Sequence, residues 1–226
     1  MNIRSCAIVL FIVLFPGSIL EGTALPDDRA AVILDGLRTK YGNIEGLTAR
    51  YTREAISKTM TTLGATERHD VARGKLYFKP PYFLRLEQSQ PQEELLITDA
   101  QKLWWYIPKK NEAYRYAAAT FGAELRLLAE ILQGLSDARD KFKITSSDTP
   151  DAAAYQLELT PDPPWKDIDH LELIIGKGDF VIEQIHIFNT MGGLTRFVFS
   201  NVKESGSLQD ELFSFSPPPG TKLIVK

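Results

Sequence analysis

From Leu47 to Phe215 the chain reads as a succession of short strand patterns parted by turn-forming residues, with a single interruption of helical period. Strand patterns cover Leu47 to Ile56, Arg73 to Lys79, Phe83 to Gln88, Glu94 to Thr98, Lys102 to Ile107 and Glu112 to Ala117. They resume over Phe142 to Ser146, Tyr155 to Thr160, Leu171 to Ile175, Val181 to Phe188, Thr195 to Val202 and Leu212 to Phe215. Short strands at close spacing with turn signals between them predict one antiparallel sheet of about eleven or twelve strands, curled toward a barrel. Pro80-Pro81 breaks one ladder because neither residue has a backbone N–H. Glycines in Gly176-Lys177-Gly178-Asp179 and Met191-Gly192-Gly193 suit hairpins, and Asp99-Ala100-Gln101 reads as a turn. Pro217-Pro218-Pro219-Gly220 is read as the stop after the last strand.

Two segments carry a helical period instead. Over Asp27 to Tyr41, Ile33, Leu34, Leu37 and Tyr41 share one face, acidic residues open the helix, and Gly42 ends it. Over Phe121 to Leu135, Phe121, Leu125, Leu128, Leu132 and Leu135 recur at helical spacing, and Leu127 and Ile131 widen the apolar stripe. With no linker, low-complexity tract or repeat, residues 25–226 read as one domain.

Some strands do not alternate. Tyr155 to Thr160 alternates and faces water on one side. Leu103-Trp104-Trp105-Tyr106-Ile107, Phe180-Val181-Ile182 and Ile185-His186-Ile187-Phe188 are apolar on both sides. Such strands need apolar cover on both faces, or one face lines an apolar cavity. Helices laid on the concave side would supply cover, and a sandwich filled by its own side chains is the other solution.

The amino terminus reads as an export signal. Arg4 is followed by an unbroken apolar run from Cys6 to Phe15, too short to span a bilayer, and Gly22-Thr23-Ala24 offers a cut after Ala24. Residues 1–24 are thus a signal peptide. Its removal takes one arginine and one glutamate, so the net charge stays at -3, and it takes the only cysteine, Cys6. Disulfides and thiol chemistry are then excluded. A net charge of -3 also argues against a surface built to grip nucleic acid or a polybasic membrane anchor.

Catalytic constellations are nearly absent. His69, His170 and His186 have no zinc-binding spacing. His186 reads as a partly buried, hydrogen-bonded strand residue, and His69 as a solvated one. No nucleophile elbow or phosphate loop is present. Asp162, Asp167 and Asp169 cluster around Trp165 in a proline-stiffened connection. The chain does not read as an enzyme and implies no cofactor or metal.

The motifs in order are Ile44-x-x-Leu47-x-Ala49-x-Tyr51, Gly74-x-Leu76-x-Phe78-Lys79-x-Pro81-x-x-x-Arg85, Leu96-x-x-Asp99, Leu103-Trp104-Trp105-Tyr106-x-Pro108 and Phe213-x-Phe215-x-x-Pro218-x-Gly220. This series resembles the LolA family of periplasmic outer-membrane lipoprotein carriers over nearly the whole mature chain. The resemblance implies an α+β, mainly β fold, an unclosed antiparallel β-barrel with helices covering its concave face. It implies a monomeric, non-enzymatic periplasmic carrier. Its cavity takes lipoprotein acyl chains released by an inner-membrane ABC transporter and passes them to an outer-membrane acceptor.

Combined with the strand pattern, the resemblance nominates Leu76, Phe78, Leu84, Leu86, Leu96, Trp105, Leu125, Leu128, Phe197 and Phe199 as cavity residues. A one-residue slip would bring Trp104 and Tyr106 inward in place of Trp105. Five positions depart from the family pattern. Pro80 stands where the family often has a lid-locking arginine, Leu84 and Leu86 where aromatics are frequent, Ala100 where a glycine follows the aspartate, and Arg53 where a glutamine is common. A divergent relative carrying another lipid, or a lipid- or peptide-sensing envelope-stress module of the same fold, are the alternatives.

Overall fold

The computed structural model describes residues 28–57, 70–99, 101–117, 123–149 and 153–226. The signal segment with Cys6, and His69, Ala100 and Phe121, lie outside the described residues.

Helix α1 spans Asp28–Tyr41. Strands β1 (Gly46–Ile56), β2 (Asp70–Lys79), β3 (Phe83–Gln90), β4 (Glu94–Asp99), β5 (Lys102–Ile107) and β6 (Glu112–Ala117) follow. Helices α2 (Ala123–Leu132) and α3 (Ala138–Lys141) lead to β7 (Phe142–Asp148), β8 (Ala154–Pro161), β9 (Ile168–Gly176), β10 (Ile182–Asn189) and β11 (Leu194–Ser205). A short 3-10 turn, Asp210–Phe213, precedes β12 (Lys222–Val225). The strands form one sheet in the order β12-β6-β5-β4-β3-β2-β1-β11-β10-β9-β8-β7. The sheet is two meanders joined where β1 pairs with β11, from Gly46↔Ser205 to Ile56↔Leu194. Its outer strands, β12 and β7, are not paired with each other, so the sheet stays unclosed.

Two expectations are corrected. Leu212 to Phe215 is not a strand, because its first residues wind into the 3-10 turn. Nor does the proline run stop the last strand. The chain passes the prolines and adds β12, which lies parallel to β6 from Lys222↔Glu112 to Val225↔Arg115. The sheet is therefore antiparallel except at this edge. Asn111 receives the incoming segment: its carbonyl accepts from the Lys222 N–H at 2.9 Å and its side-chain amide donates to the Gly220 carbonyl at 2.9 Å.

The two faces of the sheet have different cover. The helix face packs α1 and α2 into one apolar core with every strand from β1 to β3 and β7 to β11 except the polar ends. Helix α1 buries Ala30, Ile33, Leu34, Leu37 and Tyr41 and leaves Val32 exposed, as its period dictates. It approaches closely because Gly36 has no side chain: a Cβ there would meet the Phe180 ring at 2.2 Å. The buried Tyr41 hydroxyl accepts the Ile182 N–H at 2.9 Å, tying α1 to β10.

The opposite face is covered, over β3 to β6, by the segment between β11 and β12. Lys79 donates to the Leu208 carbonyl at 2.8 Å and pairs with Asp210, and Arg85 donates to the Leu212 carbonyl at 2.9 Å. Phe213 packs on Phe83, with ring centroids 5.6 Å apart. Phe215 packs on both Trp104 at 5.5 Å and Tyr106 at 5.3 Å. This explains the non-alternating Leu103 to Ile107. Trp104 and Tyr106 meet the tail, while Leu103, Trp105 and Ile107 point to the helix side.

Truncating Phe215 to alanine removes the shared ring contact of Trp104 and Tyr106. About 2 kcal/mol of stability should be lost, less than for a fully buried phenylalanine. A lowered denaturant midpoint with a red-shifted tryptophan emission checks this. Burial pushes the Tyr41 hydroxyl up to about 12 and likewise Tyr51. An unfolded tyrosine titrates near pH 10, so this stability is whole below about pH 10 and is lost as pH rises toward about 12. Tyr41→Phe orphans the Ile182 N–H and should cost about 1–3 kcal/mol near pH 8, yet should flatten the alkaline decline. Urea melts across that pH range read both effects.

Candidate functional site

Register decides which side chains share a surface. Across β2, β3, β4, β5 and β6, one row runs Leu76, Leu86, Leu96, Trp105, Tyr114, and the next runs Phe78, Leu84, Thr98, Leu103, Tyr116. Directly paired residues project to the same side, so all six nominated strand residues of this half lie on the helix face. Trp104 and Tyr106 lie on the other. On β11, Phe197 pairs with Arg53 and Phe199 with Tyr51, which places both rings on the helix face too. Their centroids are 6.1 Å apart and nearly parallel, and Tyr51 tilts onto Phe197 at 6.2 Å.

Burial divides the nominated residues. Leu76, Phe78, Leu84, Leu86, Leu128, Phe197 and Phe199 are buried in the common core. Leu96 and Leu125 are partly buried and packed against it. Trp105 stands apart from that core. Its indole N–H donates to a Glu94 carboxylate oxygen at 2.8 Å, and its ring packs on Tyr114 at 5.2 Å. Tyr114 in turn stacks on Tyr116 and donates to Glu112 at 2.7 Å. The apolar surface thus ends in an aromatic and carboxylate rim.

Helix α2 lies over this surface. It buries Leu127, Leu128, Ala129, Ile131 and Leu132. Among the described residues, few polar ties hold it. The Gln133 side-chain amide donates to the Pro81 carbonyl in the β2–β3 turn, and Lys141 pairs with Glu130 at 3.3 Å. Beyond the helix, Gly134 takes a left-handed conformation with φ +79° where a Cβ would meet the Leu37 carbonyl of α1 at 2.7 Å. Arg38 of α1 donates to the Ser136 carbonyl at 3.1 Å. The C-terminal end of α2 is therefore wedged between α1 and the Pro80-Pro81 turn.

Residue patterns had not singled out Gln133, because a glutamine after an apolar helix reads as an ordinary polar end. Its role depends on Pro81, distant in sequence. Arg53 is also newly placed: it lies on the helix face beside Phe197, with Asp70 at 3.4 Å. The remaining histidines are structural. His186 is hydrogen-bonded to Glu172 at 3.1 Å and to Gln184 at 3.0 Å, and His170 stacks on Phe188 beside Asp169. Trp165 packs on Phe142, so the proline-stiffened connection serves packing. Among the described residues, no group of three or more His, Cys, Asp or Glu is placed to hold a metal ion.

Known proteins share this arrangement. The family described as "Outer membrane lipoprotein carrier protein LolA" matches residues 44–216. An outer-membrane lipoprotein carrier protein of Pseudomonas paraeruginosa is 29% identical over 220 residues, spanning 93% of this chain and 96% of that protein. One from Chromobacterium violaceum is 25% identical over 217 residues, spanning 95% and 97%. Among solved structures, an uncharacterized conserved protein from Thermus thermophilus shares the fold at 12% identity, with a TM-score of 0.53 over 88% of this chain and 99% of that one. The family match runs from β1 through β11 and takes in the whole helix-covered apolar face, and this chain belongs to the LolA family of outer membrane lipoprotein carrier proteins.

Proposed function

We propose that this protein is a periplasmic, non-enzymatic carrier that shuttles lipoproteins from the inner to the outer membrane. It takes their acyl chains onto the helix face of its sheet. The ten nominated residues are its lipid-contacting set, with Trp105 at the rim. An inner-membrane ABC transporter supplies the cargo and an outer-membrane acceptor removes it. The observation that carries this reading is the continuous apolar surface under α2, covered by a helix whose described residues meet it mainly through Leu127, Leu128, Ile131 and Leu132.

The energies suit reversible exchange. Burying a leucine-sized side chain is worth about 1.5–3 kcal/mol, so Leu127, Leu128, Ile131 and Leu132 contribute on the order of 8 kcal/mol. A buried acyl methylene contributes ~0.8 kcal/mol, so about ten of them match what the helix gives up. Cargo and helix therefore compete for one surface on nearly equal terms, and binding is a population shift between two covers. The wedged C-terminal end of α2 is the natural pivot.

The direct test incubates the protein with spheroplasts and assays soluble lipoprotein, with native mass spectrometry of the recovered carrier. Release of lipoprotein in complex with the carrier is expected. No release, together with no lipid mass on the protein, would sink the reading. Leu128→Asp puts a charge on the shared surface and should cut acyl-chain binding by at least about tenfold while the strand signature in circular dichroism persists. Gln133→Ala frees the Pro81 carbonyl from α2. Amide exchange should quicken in α2 and stay unchanged in β8 to β10, with about 1 kcal/mol of stability lost.

A further inference from the structure

The centre of the face opposite the helices, beyond the reach of the C-terminal tail, is basic although the chain as a whole carries -3. Arg50 on β1 and Lys75 on β2 are direct cross-strand partners. Both are exposed, and neither forms an ion pair or hydrogen bond among the described residues. Like charges directly opposite on a sheet repel, and on its other side Lys75 has Glu87 as its direct cross-strand partner. Among the described residues, the side chain of Arg73, two residues before Lys75 on the same face, is held by the Gln90 side-chain oxygen at 3.1 Å. The nearest carboxylate on the strands, Glu87, is taken by Arg85 at 2.7 Å and by the Tyr77 hydroxyl at 3.3 Å.

These cations and Arg85 line a groove of about 770 Å³ together with Glu87, Glu93 and Glu94; of these, Glu87 is held by Arg85 and Tyr77, and Glu94 by Trp105 and Gln92. Its other walls include Ser200, Leu95 and Tyr106. Its position is built into the sheet. On one side, β11 carries an extra residue opposite β1 between Thr48 and Arg50, with Asn201 at φ 52°. On the other, β3 carries an extra residue opposite β2 between Arg73 and Gly74, with Ser89 bonded to the Arg73 carbonyl at 3.2 Å. Bulges interrupt ladders at a cost, bend the bulged strand and re-aim neighbouring side chains. Here two of them flank the same cation pair, one on each side.

We propose that this groove is a docking site for an extended acidic segment of a partner protein, separate from the lipid-contacting face. Arg73 and Lys75 stand about 7 Å apart along the strand, the repeat of alternate side chains in an extended peptide. Carboxylates at alternate positions would meet both, and Arg50 would complete the contact from the next strand. The cations line a groove between strands, which favours an extended peptide over a flat bilayer. Leu95 and Tyr106 give such a segment an apolar wall.

The test uses fluorescence anisotropy with a short labelled peptide alternating glutamate and serine, with the matching lysine-serine peptide and phosphatidylglycerol vesicles as comparisons. The acidic peptide should bind, and raising salt from about 50 to about 500 mM should weaken it strongly. Arg50→Glu and Lys75→Glu should each weaken it at least about tenfold and leave acyl-chain binding unchanged. Arg50→Glu should also raise the melting temperature by about 1–3 °C, since it turns the repulsive pair with Lys75 into an attractive one and meets only Ser200 on its other side. Unchanged peptide affinity in either folded variant would overturn the proposal. So would charge-dependent binding to the vesicles with none to the acidic peptide.

Discussion

The ladder between β1 and β11 is the interaction on which the rest of the molecule depends. Strands β1 to β6 form one meander and β7 to β11 another, and both contribute buried side chains to the single core that holds the two helices. Pairing β1 with β11 brings Tyr51 beside Phe199 and makes a single surface from Leu86 on β3 to Leu159 on β8. Its contacts are distant in sequence, so forming it carries a large loop-closure cost. The buried area on the helix face is what offsets that cost. Because the outer strands stay unpaired, the surface remains a wide sheet and does not shrink into a closed barrel core.

Much of this was legible in the residue pattern, and what was not has specific causes. The strand periods, both long helices and the side to which Leu76, Phe78, Leu84 and Leu86 point follow from alternation and from the turn residues between strands. The two-sided apolar character of Leu103 to Ile107 was legible as a need for cover. The identity of the cover was not. Phe213 and Phe215 lie far away in the chain, and nothing local ties them to Trp104. The same holds for β12: Leu223-Ile224-Val225 favours an extended chain but is too short to announce a strand, and its pairing depends on the free edge of β6. Trp105 reads from its chemistry as one more apolar wall residue. Glu94, placed beside it by the β4–β5 hairpin, gives its indole a polar partner and makes it part of the rim.

The two bulges that flank Arg50 and Lys75 belong to the same class of long-range effect. An extra residue in β11 or β3 is defined only against its partner strand, so no single segment announces it. Their consequence reaches both faces. They flank the groove on one face, and on the helix side they sit beside Tyr51 and Gln88. The centre of the sheet is therefore where its two surfaces, one apolar and one basic, lie back to back across the thickness of one strand.

The chemistry of the attachments distinguishes a permanent cover from an exchangeable one. The tail is fixed to its face by directional bonds: Lys79 to Leu208 and Asp210, Arg85 to Leu212, and the backbone ladder of β12. Displacing it would leave those donors and acceptors to find new partners. Helix α2 is held over its face mainly by Leu127, Leu128, Ile131 and Leu132, through contacts that are non-directional and that any hydrocarbon can replace. A saturated chain satisfies Phe78 or Leu84 as well as a leucine does, and the polar ties of Gln133 and Glu130 lie toward the wedged C-terminal end of the helix. The fold thus places its replaceable cover on the apolar face and its fixed cover on the other, and only the first is suited to giving way to an acyl chain.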